Sequence, residues 1–254
     1  MAKLEGKTAL ITGASSGSGT GIARRFIEEG ANVVMTARGK DRLIEAATEL
    51  GERAVPLTMD VGNPESVNAT FQEVSRKFGK LDILINNAAV YRPTAVEDLN
   101  DEEVQTQLNT NFLGAVHTCR AAIPLLRAAG GGDIINTSSE STGHPFPLLS
   151  IYVSTKAALE MFSRVLAMEV RKDNIRVTNL VQGTASGPGE GSSGWAWTDD
   201  ERENAFKLWG EMGLLNEVYG KGEGQSVDEV GEVHLFIVTR PRSQQLDTVW
   251  CRSF

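Results

Sequence analysis

Short apolar segments alternate along the chain with longer segments in which apolar residues recur at helical spacing. The short segments are rich in Val, Ile and Leu and are bounded by turn residues, which predicts β-strands. We expect six, at residues 7–12, 32–36, 54–59, 81–86, 133–137 and 175–181. Strands that alternate with helices predict a parallel sheet covered by helices on both faces. Pro56 lies within the third segment, and because proline cannot donate to a central ladder we expect an edge strand there.

Two helical segments are long, at about residues 102–127 and 152–172. The second has apolar residues on more than one face, among them Ala157, Leu159, Phe162 and Val165. A second apolar face is suited to subunit contact, so we expect a homodimer or a homotetramer. No linker divides the 254 residues, which predicts a single domain over residues 1–254.

Composition and charge exclude several classes of protein. The chain has 33 acidic and 25 basic residues and a net charge of -8, so its surface should repel nucleic acid. No apolar run approaches the ~20 residues that span a bilayer, and the first strand begins too close to Met1 for a signal peptide. The two cysteines, Cys119 and Cys251, and the three histidines lack metal-ligand spacing. We therefore expect a cytoplasmic protein with reduced thiols and no metal site.

A glycine-rich turn follows the first predicted strand directly. The segment from Gly13 to Gly19 precedes a helical pattern that ends at Gly30, and the second predicted strand comes next. Strand, glycine-rich turn, helix and strand aim backbone N–H groups and a helix N-terminus at a phosphate. A glycine cluster alone also fits a flexible loop, but the strand and helix on either side favour phosphate binding.

Tyr152 and Lys156 are four residues apart in a predicted helix, so their side chains should lie on one face, a turn apart. A nearby ammonium favours the phenolate and would lower the pKa of Tyr152 toward use as an acid or base. Tyr-x-x-x-Lys also arises by chance, as a solvated lysine beside a half-buried tyrosine. The pair therefore gains meaning only from the motifs that accompany it.

Taken together, these motifs resemble those of the short-chain dehydrogenase/reductase family. The chain carries similar segments in the family's order: Thr12-Gly13-Ala-Ser-Ser-Gly17-Ser-Gly19, Asp60-Val61, Asn86-Asn87-Ala88-Ala89, Asn111-Phe-Leu-Gly114, and Ser139 ahead of Tyr152. The resemblance implies a single-domain Rossmann fold, with a doubly wound parallel sheet of about seven strands. It also implies an oxidoreductase that transfers hydride between a nicotinamide cofactor and a carbonyl or secondary alcohol.

The resemblance implies a role for each matching residue. Tyr152 would be the general acid and base, Ser139 would hold the substrate oxygen, and Lys156 would also bond the nicotinamide ribose. Asn111 would kink its helix and retain a water that connects Lys156 to solvent. The catalytic residues are thus Asn111, Ser139, Tyr152 and Lys156, and the cofactor-binding residues are Gly13, Ser15, Ser16, Gly17, Ser18, Gly19, Arg38, Asp60, Val61, Asn87, Tyr152, Lys156, Gly183 and Thr184.

The end of the second strand bears on the choice of cofactor. NAD-specific folds place a carboxylate there to bind the adenosine ribose, whereas NADP requires a cation. Ala37 stands at that position, Arg38 follows it, and Lys40 is close by. Because guanidinium matches phosphate geometry, we favour NADP(H) over NAD(H). Ser16 stands where many NADP-using relatives have a second basic residue, and an exposed arginine is the alternative reading of Arg38.

The segment after the sixth strand departs from the family pattern. A threonine is usual at the position of Gly187, so Thr184 and Ser186 are the alternatives for contact with the nicotinamide amide. We expect a substrate lid at residues 184–225, glycine-rich at first and then aromatic. Its aromatic residues would favour an apolar or ring-bearing carbonyl compound, although packing into the core or a subunit contact is an equal alternative; they are Trp195, Trp197, Phe206 and Trp209.

Three observations leave the substrate and the reaction open. His144 could border the pocket or be exposed. The C-terminal segment lacks the usual Asp-Gly-Gly and resembles a branch that acts on hydroxy acids, hydroxy amino acids and assorted ketones.

A dehalogenase-like lyase and a non-catalytic dinucleotide sensor are alternative functions for this fold. Lys156 with Gly17 and Gly19 argues against the lyase, and Tyr152 with Lys156 argues against the sensor.

Overall fold

The six predicted strands all form, and they belong to one parallel sheet. The computed structural model describes residues 2–186, 197–215 and 224–252. The sheet has seven strands, which confirms the number expected: β1 Thr8–Thr12, β2 Asn32–Ala37, β3 Ala54–Thr58, β4 Ile83–Asn86, β5 Gly132–Ser139, β6 Ile175–Gln182 and β9 Thr248–Cys251. A separate two-stranded parallel pair joins β7 Ala185–Ser186 to β8 Gln225–Ser226.

The strand order places a crevice at the middle of the sheet. The order is β3-β2-β1-β4-β5-β6-β9, so the chain changes direction between β1 and β4. At such a switch point the connections on the two sides leave in opposite directions, which opens a cleft beyond the carboxyl ends of the strands. β3 is an edge strand, which confirms the expectation from Pro56.

Helices cover both faces of the sheet: α1 Gly17–Glu28, α2 Lys40–Leu50, α3 Pro64–Phe78, α4 Asp101–Leu108, α5 Gly114–Ala128, α6 Ser150–Val170, α7 Asp199–Glu211 and α8 Val227–Val238. Successive strand residues point to opposite faces. In β1, Ile11 therefore joins a core that includes residues of α1, α2 and α8, and Leu10 joins a core that includes residues of α3, α5 and α6. Two separate cores of this kind confirm a doubly wound, single-domain Rossmann fold.

The helix expected at residues 102–127 is interrupted. α4 and α5 are joined by a π-helical turn over Asn109–Leu113, where the backbone takes up one extra residue. Gly114 follows the turn, and a Cβ there would lie 2.7 Å from Val61 Cγ2. The absence of a side chain at Gly114 therefore lets the chain pass close to the loop after β3. Among the described residues, no helix is long and apolar enough to cross a membrane.

Candidate active site

The glycine-rich turn lies at the carboxyl end of β1 and runs into α1. Gly13 and Gly17 have φ of +67° and +54°, a conformation that side-chain-bearing residues rarely adopt. A Cβ on Gly13 would lie 2.9 Å from Ala88 Cα, and one on Gly19 would lie 2.2 Å from the Gly13 carbonyl oxygen. The first turn of α1 has no acidic residue, and Ser16 at its N-cap makes no side-chain capping bond. These features fit a dinucleotide phosphate.

Thr12 connects the two strands that border the crevice. Its hydroxyl accepts hydrogen bonds from the backbone N–H groups of Asn87 and Ala88, each at 3.0 Å. Asn87 Nδ2 in turn donates to the Thr12 carbonyl at 3.0 Å. The sequence motif contains Thr12 but assigns it no task, and the structure shows that it fixes the walls of the cleft.

The other predicted cofactor residues surround the same cleft. Ser15, Ser16 and Ser18 lie partly buried on the turn. Ser18 Oγ accepts a hydrogen bond from Gln182 Nε2 at 3.3 Å, which connects the turn to the end of β6. Asp60 Oδ1 accepts from the Gly62 N–H at 2.9 Å and shapes the loop that carries the buried Val61.

Arg38 is exposed directly after β2, with Ala37 preceding it. β2 is the neighbour of β1, so this arginine lies at the side of the cleft where the second strand ends. Lys40, also exposed, begins α2. The cations of Arg38 and Lys40 therefore lie on this side of the cleft. Position 37, an alanine, contributes no carboxylate there.

Ser139, Tyr152 and Lys156 come together at the carboxyl end of β5. Ser139 is the last residue of β5, and Tyr152 and Lys156 lie in the first two turns of α6. Lys156 Nζ donates to the Thr137 carbonyl at 2.7 Å and lies 5.7 Å from the centroid of the Tyr152 ring. The helical spacing thus places the cation and the phenol on one face, beside the strand that carries the serine.

Burial is the main cause of the pKa shifts of both Lys156 and Tyr152. It lowers the pKa of Lys156 to about 8, because the ammonium is removed from water. It also raises the pKa of Tyr152, and the Glu140 carboxylate raises it further, while a hydrogen bond with Ser139 acts in the opposite direction. The pKa of Tyr152 is therefore raised by burial and not lowered as expected, and the Lys156 ammonium is directed to the Thr137 carbonyl.

The Ser139 hydroxyl is oriented by Ser141, a residue that the sequence motif does not mark. Ser139 Oγ accepts from Ser141 Oγ at 2.9 Å and from the Ser141 N–H at 3.2 Å. A hydroxyl that accepts two hydrogen bonds has its own proton left to donate. Ser139 is therefore prepared to donate to an oxygen in the site.

Asn111 lies in the π-helical turn and is buried. Its Oδ1 accepts from the Val90 N–H at 2.8 Å, and its Nδ2 donates to the Val90 carbonyl at 2.9 Å and to Thr155 Oγ1 at 3.2 Å. Asn111 thus joins the loop after β4 to α6, one residue before Lys156. The side chain is occupied by these contacts, and the local departure from α-helical geometry agrees with the expected kink.

Gly183 and Thr184 follow β6, and a buried carboxylate holds the second of them. Glu140 Oε1 accepts from the Thr184 N–H at 2.9 Å, and the Gly183 N–H donates to the Cys251 carbonyl of β9 at 2.7 Å. Glu140 was not predicted, because nothing in the local pattern marks an acidic residue after a strand as buried. His144 is partly buried on the same turn, and its N–H donates to the Glu140 carbonyl at 2.9 Å.

Aromatic side chains cover Tyr152. The ring centroid of Tyr91 lies 4.8 Å from that of Tyr152 and 5.3 Å from that of Trp197. Trp197 Nε1 donates to the Tyr91 carbonyl at 3.0 Å, and Trp209 Nε1 donates to the Pro147 carbonyl at 2.9 Å. Two of the predicted aromatic residues therefore pack beside the site, and Phe206 touches Trp209 while remaining partly exposed. Trp195 and Gly187 lie outside the described residues.

The fold and these side chains define a nicotinamide-dinucleotide oxidoreductase of the Rossmann type, with a serine, a tyrosine and a lysine at the end of β5. The sequence profile of the short chain dehydrogenase family matches residues 7–192. The chain belongs to this family, whose members act on CH–OH groups.

Three similar proteins span most of the chain. An NADP-dependent 3-hydroxy acid dehydrogenase of Schizosaccharomyces pombe is 30% identical over 246 residues, which are 94% of this chain and 90% of that protein. An uncharacterized oxidoreductase of Methylorubrum extorquens is 36% identical over 205 residues, 79% of this chain and 82% of that protein. The crystal structure of L-sorbose reductase from Gluconobacter frateurii, complexed with NADPH and L-sorbose, has a TM-score of 0.83 and 34% identity, covering 99% of this chain and 97% of that chain.

Gly19→Ala should weaken binding of a reduced nicotinamide dinucleotide at least tenfold, because a Cβ 2.2 Å from the Gly13 carbonyl must open the turn. Titration of the cofactor's fluorescence with the purified variant measures this. Gly210→Ala is the control, since its Cβ would meet only Leu215 Cδ1 at an ordinary 3.7 Å. Equal affinity in the two variants would contradict the assignment of the turn.

Proposed function

We propose that the protein is an NADP(H)-dependent ketone reductase or alcohol dehydrogenase that uses Tyr152 as its general acid and base. The observation that carries the proposal is the convergence of Ser139, Tyr152 and Lys156 at the edge of a cleft whose glycine turn fits a dinucleotide. The bound nicotinamide would supply or accept the hydride. The rest of the chemistry is proton transfer and charge stabilisation at the substrate oxygen, which the protein must provide.

Each side chain has a task in that chemistry. In carbonyl reduction, negative charge develops on the substrate oxygen, and Tyr152 donates the proton that neutralises it. Ser139 donates a hydrogen bond to the same oxygen, in the orientation that Ser141 sets. Lys156 would bond the cofactor ribose, and Asn111 supports the helix segment that carries it. In alcohol oxidation, Tyr152 would act as the base.

The preference for NADP(H) rests on Arg38 beside Ala37 at the end of β2. A guanidinium there can pair with a 2′-phosphate, and no carboxylate from position 37 repels that phosphate. The relatives agree, since the dehydrogenase of S. pombe is NADP-dependent and the L-sorbose reductase structure contains NADPH.

The substrate side of the site favours an apolar or ring-bearing carbonyl compound. Tyr91, Trp197 and Trp209 form one side of the space next to Tyr152, and α7 carries the last of them. Arg92 holds α7 in place, because it donates to Glu201 of α7 at 2.6 Å and to Glu103 of α4 at 2.7 Å. We propose that α7 belongs to a substrate lid at residues 184–225 of a single domain; residues 187–196 and 216–223 of that range lie outside the described residues.

We also propose a homodimer or a homotetramer. Met161, Val165 and Met168 are exposed on α6, and Met168 has 79% of its surface accessible. An apolar stripe of this kind on a long helix is suited to a second copy of the chain. Light scattering should give a mass of two or four times 27.4 kDa, and a mass of one chain would reject the proposal.

Tyr152→Phe should lower kcat at least a hundredfold, because the substrate oxygen loses its proton donor, while NADPH affinity changes little. Consumption of NADPH with a panel of aromatic, aliphatic and polyhydroxy ketones measures turnover, with the aromatic ketones expected to react best. Cofactor binding without turnover on any ketone would instead support a dinucleotide sensor. Turnover that survives in Tyr152→Phe would remove Tyr152 from the mechanism.

Arg38→Ala should weaken NADPH about tenfold or more, since a charge-assisted pair with the 2′-phosphate is lost, and should leave NADH nearly unchanged. KM values for the two cofactors, measured with one ketone, provide the comparison. Lys40→Ala is the matched comparison, because Lys40 is a second exposed cation two residues away, and it should weaken NADPH less than Arg38→Ala does. An equal loss for both cofactors in Arg38→Ala would show that this arginine does not select NADP(H).

A further inference from the structure

Glu140 is a buried carboxylate next to the active-site serine. It begins the short 3-10 turn Glu140–Thr142 that follows β5, and only 4% of its surface is accessible. Acidic side chains are almost never buried to this extent unless they are paired. Burial of this carboxylate costs free energy, which indicates that Glu140 has a function in the site.

Only one of the two carboxylate oxygens has a hydrogen-bond partner among the described residues. Oε1 accepts from the Thr184 N–H at 2.9 Å, and the Thr184 hydroxyl lies 3.5 Å from the same oxygen. Oε2 is buried without a partner, and a Cβ on Gly183 would lie 3.1 Å from it. Glu140 is thus held against the loop after β6, in which Thr184 is a candidate for the nicotinamide amide.

Charged and titratable groups face Glu140 from three elements. Arg252, which follows β9, and His144, on the same turn, both act to lower its pKa. Burial acts more strongly, so the pKa of the Glu140 carboxyl is raised above its ordinary value. From α6, Tyr152 experiences the Glu140 charge, which raises the pKa of its phenol in addition to the effect of burial. The Lys156 ammonium, also on α6, lies 5.7 Å from the centroid of the Tyr152 ring.

We propose that Glu140 is a positioning residue of the hydride-transfer site, which holds Thr184 at the cofactor loop through the hydrogen bond that its carboxylate accepts from the Thr184 N–H. The inference rests on the proposed function and deepens it. The Glu140 charge also raises the pKa of the Tyr152 phenol, so loss of the phenol proton is less favourable while Glu140 is ionised.

Two substitutions separate the two parts of this role. Glu140→Gln removes the charge but keeps a carbonyl oxygen that can accept from the Thr184 N–H. Glu140→Asp keeps the charge but shortens the side chain by one methylene, so the bond to Thr184 is lost. The measurements are the pH dependence of alcohol oxidation and the Kd of NADPH, obtained from fluorescence without substrate.

In Glu140→Gln, the midpoint of the rise of oxidation with pH should move to lower pH, while the Kd of NADPH stays within a factor of two or so of wild type. In Glu140→Asp, the midpoint should stay in place and the Kd should rise about tenfold, the loss expected for one hydrogen bond. Glu160→Gln is the control. Glu160 also receives hydrogen bonds at this strand end, from Ser138 and Thr142, and it should leave the midpoint unchanged.

An unchanged midpoint in Glu140→Gln, or an equal shift in Glu160→Gln, would overturn the electrostatic role of Glu140. Unaltered NADPH affinity in Glu140→Asp would overturn its hold on the cofactor loop. The pH measurement presupposes wild-type turnover that depends on Tyr152, whereas the NADPH titration does not. If wild type turns over no ketone or alcohol, it is the proposed function that fails, and the NADPH titrations still test the contact with Thr184.

Discussion

An ammonium group held almost completely out of water organises the site. Lys156 is 2% exposed, and a buried cation needs a hydrogen-bond acceptor to remain charged. The Thr137 carbonyl provides it, two residues before β5 ends, and so ties the position of α6 to that of β5. With this contact made, Ser139 at the strand end and Tyr152 one turn earlier on the helix come together without further adjustment.

Much of this arrangement could be predicted from the sequence, because it depends on local periodicity and on strand direction. The apolar runs predicted the strands, and Pro56 predicted an edge strand. The four-residue spacing of Tyr152 and Lys156 predicted that both lie on one face of a helix. Carboxyl ends of parallel strands meet at one side of a sheet, so motifs distant in sequence were expected at one cleft. The family profile and the similar structures support the same reading.

The remaining features depend on contacts that no local pattern reveals. The Tyr91 ring packs against the Tyr152 ring, and the Glu140 carboxylate accepts a hydrogen bond from the Thr184 N–H. Neither Tyr91 nor Glu140 belongs to a recognisable motif. The acidity of Tyr152 depends on how deeply the phenol is buried, which spacing alone does not tell. The π-helical turn at Asn111 was readable only by resemblance, since the apolar periodicity continues through it.

The strand β9 has a consequence for how this enzyme can change over evolutionary time. The Cys251 carbonyl of β9 accepts a hydrogen bond from the Gly183 N–H. The positive charge of Arg252, which follows β9, acts to lower the pKa of the Glu140 carboxyl. β9 is an edge strand with one neighbour in the sheet, so few backbone hydrogen bonds of the sheet depend on it. Sequence changes in β9 nevertheless reach the loop that follows β6, so lineages could alter that loop by changing this strand while serine, tyrosine and lysine stay the same.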